Sequence, residues 1–268
     1  MLVYLATYPR CGSALLRDTI ALNWGLATAN LYEPVAWSDE LEVAPTSCPA
    51  LLAYSAGSVR RRMIKSPVGA LLTPDVRERL AASPELFLLK THERPPAETF
   101  EGEIAIQMVR HPGAALVSYW RLQQAMKGIE MPFARFNGGD ETGGLWGEYH
   151  DAWSATDMPL SRMRYEDYLD QPDAIVWWLA NALDLPAPSR PQIVTMREAH
   201  ARNPVRNPGA GAHGWKAALT DAKIARLWEL HGDVATGLGY DIDGRADHAS
   251  FHRGTYLIRP TTSTLAVA

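Results

Sequence analysis

The apolar positions of this chain gather in short unbroken runs. Leu2–Ala6, Leu86–Leu89 and Ile104–Val109 are rich in aliphatic and β-favouring residues and too short for helices, the pattern of strands buried on both faces. A polar turn follows each run. After the first and third a helical pattern begins, LLRDTIALNWGL at 15–26 and GAALVSYWRLQQAM at 113–126. Further helices are predicted over 174–183 and 220–238. In the latter, Ile224, Leu227, Trp228 and Val234 fall near helical spacing, and Thr220-Asp221 can cap its start. Strands alternating with helices predict an α/β fold: one domain with a central, mostly parallel sheet flanked by helices. Proline and glycine are scattered, so no linker or internal repeat divides the chain.

Composition narrows the function classes. The chain has 268 residues, a formal charge of −4, 47% hydrophobic and 21% charged residues, the mix of a globular protein large enough to bury one core. The charge balance excludes a bulk polycation for nucleic acid. The two cysteines, Cys11 and Cys48, are too few for a disulfide framework or a zinc cluster, and no metal is expected. No apolar run is long enough for a membrane helix, and the start MLVYLATYPR lacks the pattern of a signal peptide. A soluble cytoplasmic protein without an integral membrane segment is expected.

In parallel sheets ligands bind beyond the carboxyl ends of the strands. All three predicted strand ends carry polar residues there: Thr7-Tyr8-Pro9-Arg10-Cys11-Gly12-Ser13, Lys90-Thr91-His92 and Arg110-His111-Pro112. The first turn has the makings of an anion site. Gly12 lets the backbone bend and approach a ligand, the amides of the helix start carry partial positive charge, Arg10 adds a full charge and Ser13 a hydroxyl. The turn lacks the G-x-x-x-x-G-K-[ST] of a Walker A loop and the G-x-G-x-x-G of a dinucleotide fold. Cys11, beside Arg10 at a helix start, stands where a thiol pKa can fall; a small residue that simply fits the turn explains it as well.

Here the chain resembles the cytosolic-type sulfotransferases. ATYPRCGSALL is similar to their 5′-phosphosulfate loop, T-Y-P-[KR]-S-G-T-x-W. IQMVRHPGAALVSYW is similar to their 3′-phosphate motif, with Arg110 and Ser118 eight apart. LLKTH resembles the Lys-Thr-His segment, RYEDY at 164–168 the Tyr-Glu-Asp-Leu stretch, and Gly214-Trp215-Lys216 the end of the glycine-rich loop. Thr195 stands ahead of Asn203-Pro204 at the spacing of an adenine contact. The motifs come in family order across roughly 2–240.

The resemblance implies a P-loop-like sulfotransferase fold over 1–243 and a tail, 244–268, of unassigned role. It implies 3′-phosphoadenosine 5′-phosphosulfate as donor, its 3′,5′-bisphosphate as product, and a small-molecule acceptor. His92 would be the general base, Lys90 would hold charge on the sulfuryl oxygens, and Arg10 would bind the leaving 5′-phosphate, by charge and hydrogen bonds since arginine does not give up its proton. Arg10, Cys11, Gly12, Ser13, Ala14 and Leu15 would cradle the 5′ end. Arg110, Ser118, Tyr165, Thr195, Arg206, Asn207 and Gly209 would hold the rest of the nucleotide.

The chain departs from the family in several places. Cys11 replaces a serine, Ala14-Leu15 replace a usual threonine and tryptophan, and Arg206-Asn207-Pro208-Gly209 stands about two residues early relative to the usual Arg-Lys-Gly. Segment 190–216 is basic, with Arg190, Arg197, Arg202, Arg206 and Lys216 against Glu198 alone, a net +4. On the acceptor side, residues 127–150 hold aromatic residues and a glycine-rich turn, and Trp146, Tyr149 and His150 are the nearest equivalents of the family's acceptor pattern. Arg60-Arg61-Arg62 reads as a solvated face. The family's C-terminal dimerisation motif is not found, so a homodimer stays open. Two other readings remain. A nucleotide kinase with a degenerate P-loop lacks its Lys-Ser/Thr; a non-catalytic nucleotide-binding module would be expected to lack Lys90 or His92, and both are present.

Overall fold

The computed structural model describes residues 1–26, 28–30, 73–195, 197–198 and 214–245. Five strands form one sheet: β1 (Leu2–Thr7), β2 (Ala29–Asn30), β3 (Phe87–Thr91), β4 (Glu103–Val109) and β5 (Leu160–Arg164), in the spatial order β2-β3-β1-β4-β5. Every pairing is parallel. The three predicted runs are the three central strands. They are continuous in apolarity because each is covered twice: in β1, Leu2, Tyr4 and Ala6 face one layer and Val3 and Leu5 the other.

The first layer holds α2 (Pro74–Ala81), α3 (Pro112–Lys127), α4 (Phe133–Asn137), α5 (Trp146–Ser154) and α8 (Asp221–Gly237). The second holds α1 (Ser13–Trp24), α6 (Tyr165–Asp170) and α7 (Pro172–Ala182). Burial of leucines such as Leu5, Leu16, Leu116 and Leu227 stabilises the two cores by roughly 1.5–3 kcal/mol per side chain. Thr220 caps α8 as its sequence predicts, its Oγ1 accepting from the amide of Lys223 at 3.4 Å. Among the described residues no helix is long and apolar enough to cross a membrane.

Two features place a site. The helices that leave the neighbouring strands β1 and β4, α1 and α3, go to opposite layers. That divergence opens a crevice at the carboxyl ends of these strands. At the opposite rim, Glu103 at the start of β4 accepts from Arg77 of α2 at 2.9 and 2.7 Å, from the Tyr4 hydroxyl at 2.6 Å and from the amide of Phe100 at 3.0 Å. This ion pair is almost wholly buried and ties a helix to the sheet away from the crevice.

Candidate active site

The turn between β1 and α1 is wound tightly. The amide of Cys11 donates to the carbonyl of Tyr8 at 3.1 Å. Arg10 adopts a left-handed backbone, φ 69°, which a non-glycine residue enters only at some cost, and Gly12 has φ 97°. Gly12 is pressed against the sheet and α6: a Cβ there would lie 2.4 Å from Met108 Sδ and 2.8 Å from the Tyr165 ring, so only glycine fits. No side chain caps α1. Its first internal bond runs from the amide of Leu16 to the carbonyl of Gly12, which leaves the amides of Ser13, Ala14 and Leu15 without helical acceptors at the positive end of the dipole. Cys11 itself is fully buried, and burial pushes its thiol up to about 12; the lowered thiol that its place in the sequence allows is not found, and Cys11 fits the turn as a small side chain.

Across the crevice, β4 ends at Arg110 and α3 begins. Arg110 Nη1 donates to the carbonyl of Arg10 at 3.0 Å, and Arg10 Nε donates to Ser118 Oγ at 3.1 Å. The two anion-binding segments expected from the sequence are therefore joined through Arg10. The Arg110 guanidinium lies 4.3 Å over the ring of Tyr165, and its Nε is buried without a partner among the described residues. A buried donor left unpaired beside a cradle that excludes a Cβ is the arrangement of a site for an anionic ligand. Thr195 lies apart, at the surface: it caps a turn with Glu198 Oε2 at 2.8 Å, while nearby Gln192 is tied to Asn23 of α1. Arg206, Asn207, Gly209, the Arg60–Arg62 cluster and the tail from 246 lie outside the described residues.

The loop after β3 carries the third part. His92 Nδ1 lies 2.6 Å from the carbonyl oxygen of Thr7 and 3.3 Å from its Oγ1. A carbonyl only accepts, so Nδ1 carries the proton and the neutral ring has its lone pair on Nε2. Burial, with the charges of Lys90, Arg10 and Arg17, holds the His92 pKa well below 6.5. Lys90, the last residue but one of β3, is almost fully buried; it is not a solvated surface lysine. The turn is braced by Trp153 Nε1, which donates to the carbonyl of Glu93 at 3.0 Å, and by Thr91 Oγ1, which accepts from the Glu93 amide at 2.9 Å.

His92 opens on a cleft lined by Tyr8, Glu93, Arg94, Tyr149 and the turn Thr142–Leu145. Tyr149 meets Tyr8 edge to face at 5.5 Å. Trp146 and His150 do not line it. Both are fully buried, packed on each other with ring centroids 4.3 Å apart; helix periodicity turns them inward while Tyr149 reaches the cleft. To the residues expected from the sequence the structure adds the ring of Tyr8 and the rim formed by Arg94 and Glu148, paired at 2.6 Å. The turn's signal was the spacing of Gly139, Gly143 and Gly144, all at positive φ. Tyr8 gave none beyond its place in the first motif.

Fold and site together describe a parallel α/β domain with a tight glycine turn at the crevice and a histidine cleft beside it. The model of the sulfotransferase domain matches residues 2–202, three-quarters of the chain, and the chain belongs to that family. No curated protein matches the sequence. Among solved structures it is similar to mouse sulfotransferase SULT7A1 complexed with PAP, at a TM-score of 0.55 and 14% identity over 87% of this chain and 83% of that one. It is also similar to retinol dehydratase in complex with androsterone and inactive cofactor PAP, at 0.51 and 15% over 87% and 80%. At these identities the likeness is one of fold.

Proposed function

We propose that the chain transfers a sulfuryl group from 3′-phosphoadenosine 5′-phosphosulfate to a hydroxyl or amine of a small-molecule acceptor, with His92 as general base. The observation that carries this reading is the junction of three parts. Thr7 leads into the anion cradle and also orients His92, while Arg10 joins the cradle to Arg110 and Ser118. The residues fit the donor: a pinched glycine turn with open amides for the 5′ end, and a buried arginine with an unpartnered Nε for the second phosphate. When bound, the donor supplies a sulfuryl group whose bond to the 5′-phosphate breaks as the acceptor atom bonds to sulfur. Nε2 of His92 takes the proton that the acceptor loses. Lys90 and Arg10 face the charge spread over the sulfuryl and phosphate oxygens. Tyr8, Tyr149 and the Thr142–Leu145 turn border the acceptor.

The test is transfer of label from sulfur-labelled donor to a library of phenols, alcohols and amines. The wild-type chain is expected to label at least one acceptor. His92→Ala is expected to lose at least about a hundredfold in turnover while binding the 3′,5′-bisphosphate product with unchanged affinity in calorimetry. Unchanged turnover in the variant would remove His92 from this role; loss of product binding as well would make it a structural residue.

A further inference from the structure

Arg110 can grip a phosphate only if its main chain is held still, and one of the groups that hold it, Tyr240, lies beyond the motifs that identify the family. Glu166, in the first turn of α6, spends its two oxygens on two different segments. Oε1 accepts from the backbone N–H of His111 at 3.2 Å, and Oε2 accepts from the Tyr240 hydroxyl at 2.8 Å. The first bond fixes the peptide that joins Arg110 to His111. The second hangs on a residue beyond α8 and beyond the span matched by the family model.

The segment that carries Tyr240 is itself braced against the start of α3. His111 Nδ1 accepts from the amide of Gly113 at 3.1 Å, so its proton is on Nε2, which donates to the carbonyl of Asp241 at 3.1 Å. Trp215 stacks on the His111 ring at 4.7 Å and sits so close to Gly113 that a Cβ there would lie 2.6 Å from it. Residues 241–245 close a turn, Asp241 N–H to the Arg245 carbonyl at 3.1 Å and Gly244 N–H to the Asp241 carbonyl at 3.0 Å. Lys216 Nζ meets Asp243 Oδ1 at 2.6 Å on the outside. Two stretches, 214–216 and 240–245, are thus clasped together over the Arg110–Gly113 corner.

We propose that Tyr240, acting through Glu166, is a positioning residue for the 3′-phosphate grip of Arg110. The bond from Tyr240 keeps the Glu166 carboxylate aimed at the His111 amide and away from the neighbouring guanidinium. Without it the carboxylate is free to turn to Arg110, whose Nε has no partner among the described residues, and to compete with the phosphate for the same donors. Tyr240 touches no ligand in this arrangement. Its effect reaches the nucleotide only through Arg110, so it falls on one end of the nucleotide and spares the other.

The inference rests on Arg110 as the 3′-phosphate ligand, and the experiment separates the two. Calorimetry compares adenosine 3′,5′-bisphosphate with adenosine 5′-monophosphate on wild type, Arg110→Ala, Tyr240→Phe and Glu166→Gln. Wild type is expected to prefer the bisphosphate, and Arg110→Ala to lose most of that preference. Tyr240→Phe is expected to lower bisphosphate affinity about tenfold and leave the monophosphate within twofold. Glu166→Gln, which keeps an acceptor for the His111 amide but no competing charge, is expected to stay within about threefold of wild type for both. If Arg110→Ala leaves the preference intact, the underlying assignment fails. If Arg110→Ala removes it and Tyr240→Phe weakens both nucleotides equally, or neither, the positioning role fails. Should Tyr240→Phe not fold, Asp243→Asn, at the exposed end of the clasp, takes its place. A selective loss of bisphosphate affinity of at least twofold is then the expected result, and an equal effect on both nucleotides, or no effect, overturns the proposal.

Discussion

Thr7 determines how His92 can act. Its carbonyl accepts a hydrogen bond from Nδ1–H at 2.6 Å, so the ring presents a lone pair at Nε2, and burial, with the charges of Lys90, Arg10 and Arg17, keeps it uncharged. The consequence is read in the pH profile of the reaction. A base whose pKa lies well below 6.5 is already deprotonated in mildly acidic buffer, so kcat/KM for transfer is expected to stay level from pH 7.5 down through 6.5. Its acid limb should fall below the range of an ordinary histidine. A half-maximal point at pH 6.5 or above would contradict the environment described for His92. The cradle residues show which signals the sequence carried. Gly12, Arg10 and Arg110 are legible because a bend at a strand end, a helix start and a guanidinium have a common chemistry. The joining of Arg10 to Arg110 and Ser118 is not legible, since it needs a residue with positive φ that no pattern announces.

Among elements, the three central strands declare themselves through unbroken apolar runs because both faces of β1, β3 and β4 are covered. The edge strands do not. β2 has two residues, and β5 reads LSRMR, with Arg162 bonded to Gln107 at 2.6 Å and Arg164 to Asp167 at 2.9 Å. β5 hides its polar side chains in local partnerships, and composition gives no hint of it. The helix α5 shows a similar limit: Trp146, Tyr149 and His150 lie within five residues of one another, yet the helix turns only Tyr149 towards the cleft. The fastening of α2 to β4 carries its own prediction. Glu103→Ala would leave the Arg77 guanidinium buried and uncompensated, and the loss of stability in urea unfolding is expected to be about 3–5 kcal/mol. A change below about 1 kcal/mol would mean that water or a nearby carbonyl replaces the carboxylate.

The whole molecule is expected to be sensitive to acid. Burial holds His111 and His231 at about 4, against the ordinary value of 6.5. Between these limits the unfolded chain binds protons that the folded chain refuses, so folding stability is complete above pH 6.5 and falls as the pH drops towards 4. Each ring contributes a slope of about 1.4 kcal/mol per pH unit, and melting temperatures taken at pH 7.5, 6 and 5 should decline accordingly. A flat response would show that the folded protein accepts those protons. The parallel sheet also separates two kinds of wear. Its upper rim carries the proposed site, and its lower rim carries the Arg77–Glu103 fastening. Changes at the bottom therefore alter how long a molecule survives and not how fast it turns over, which leaves the two properties open to independent tuning.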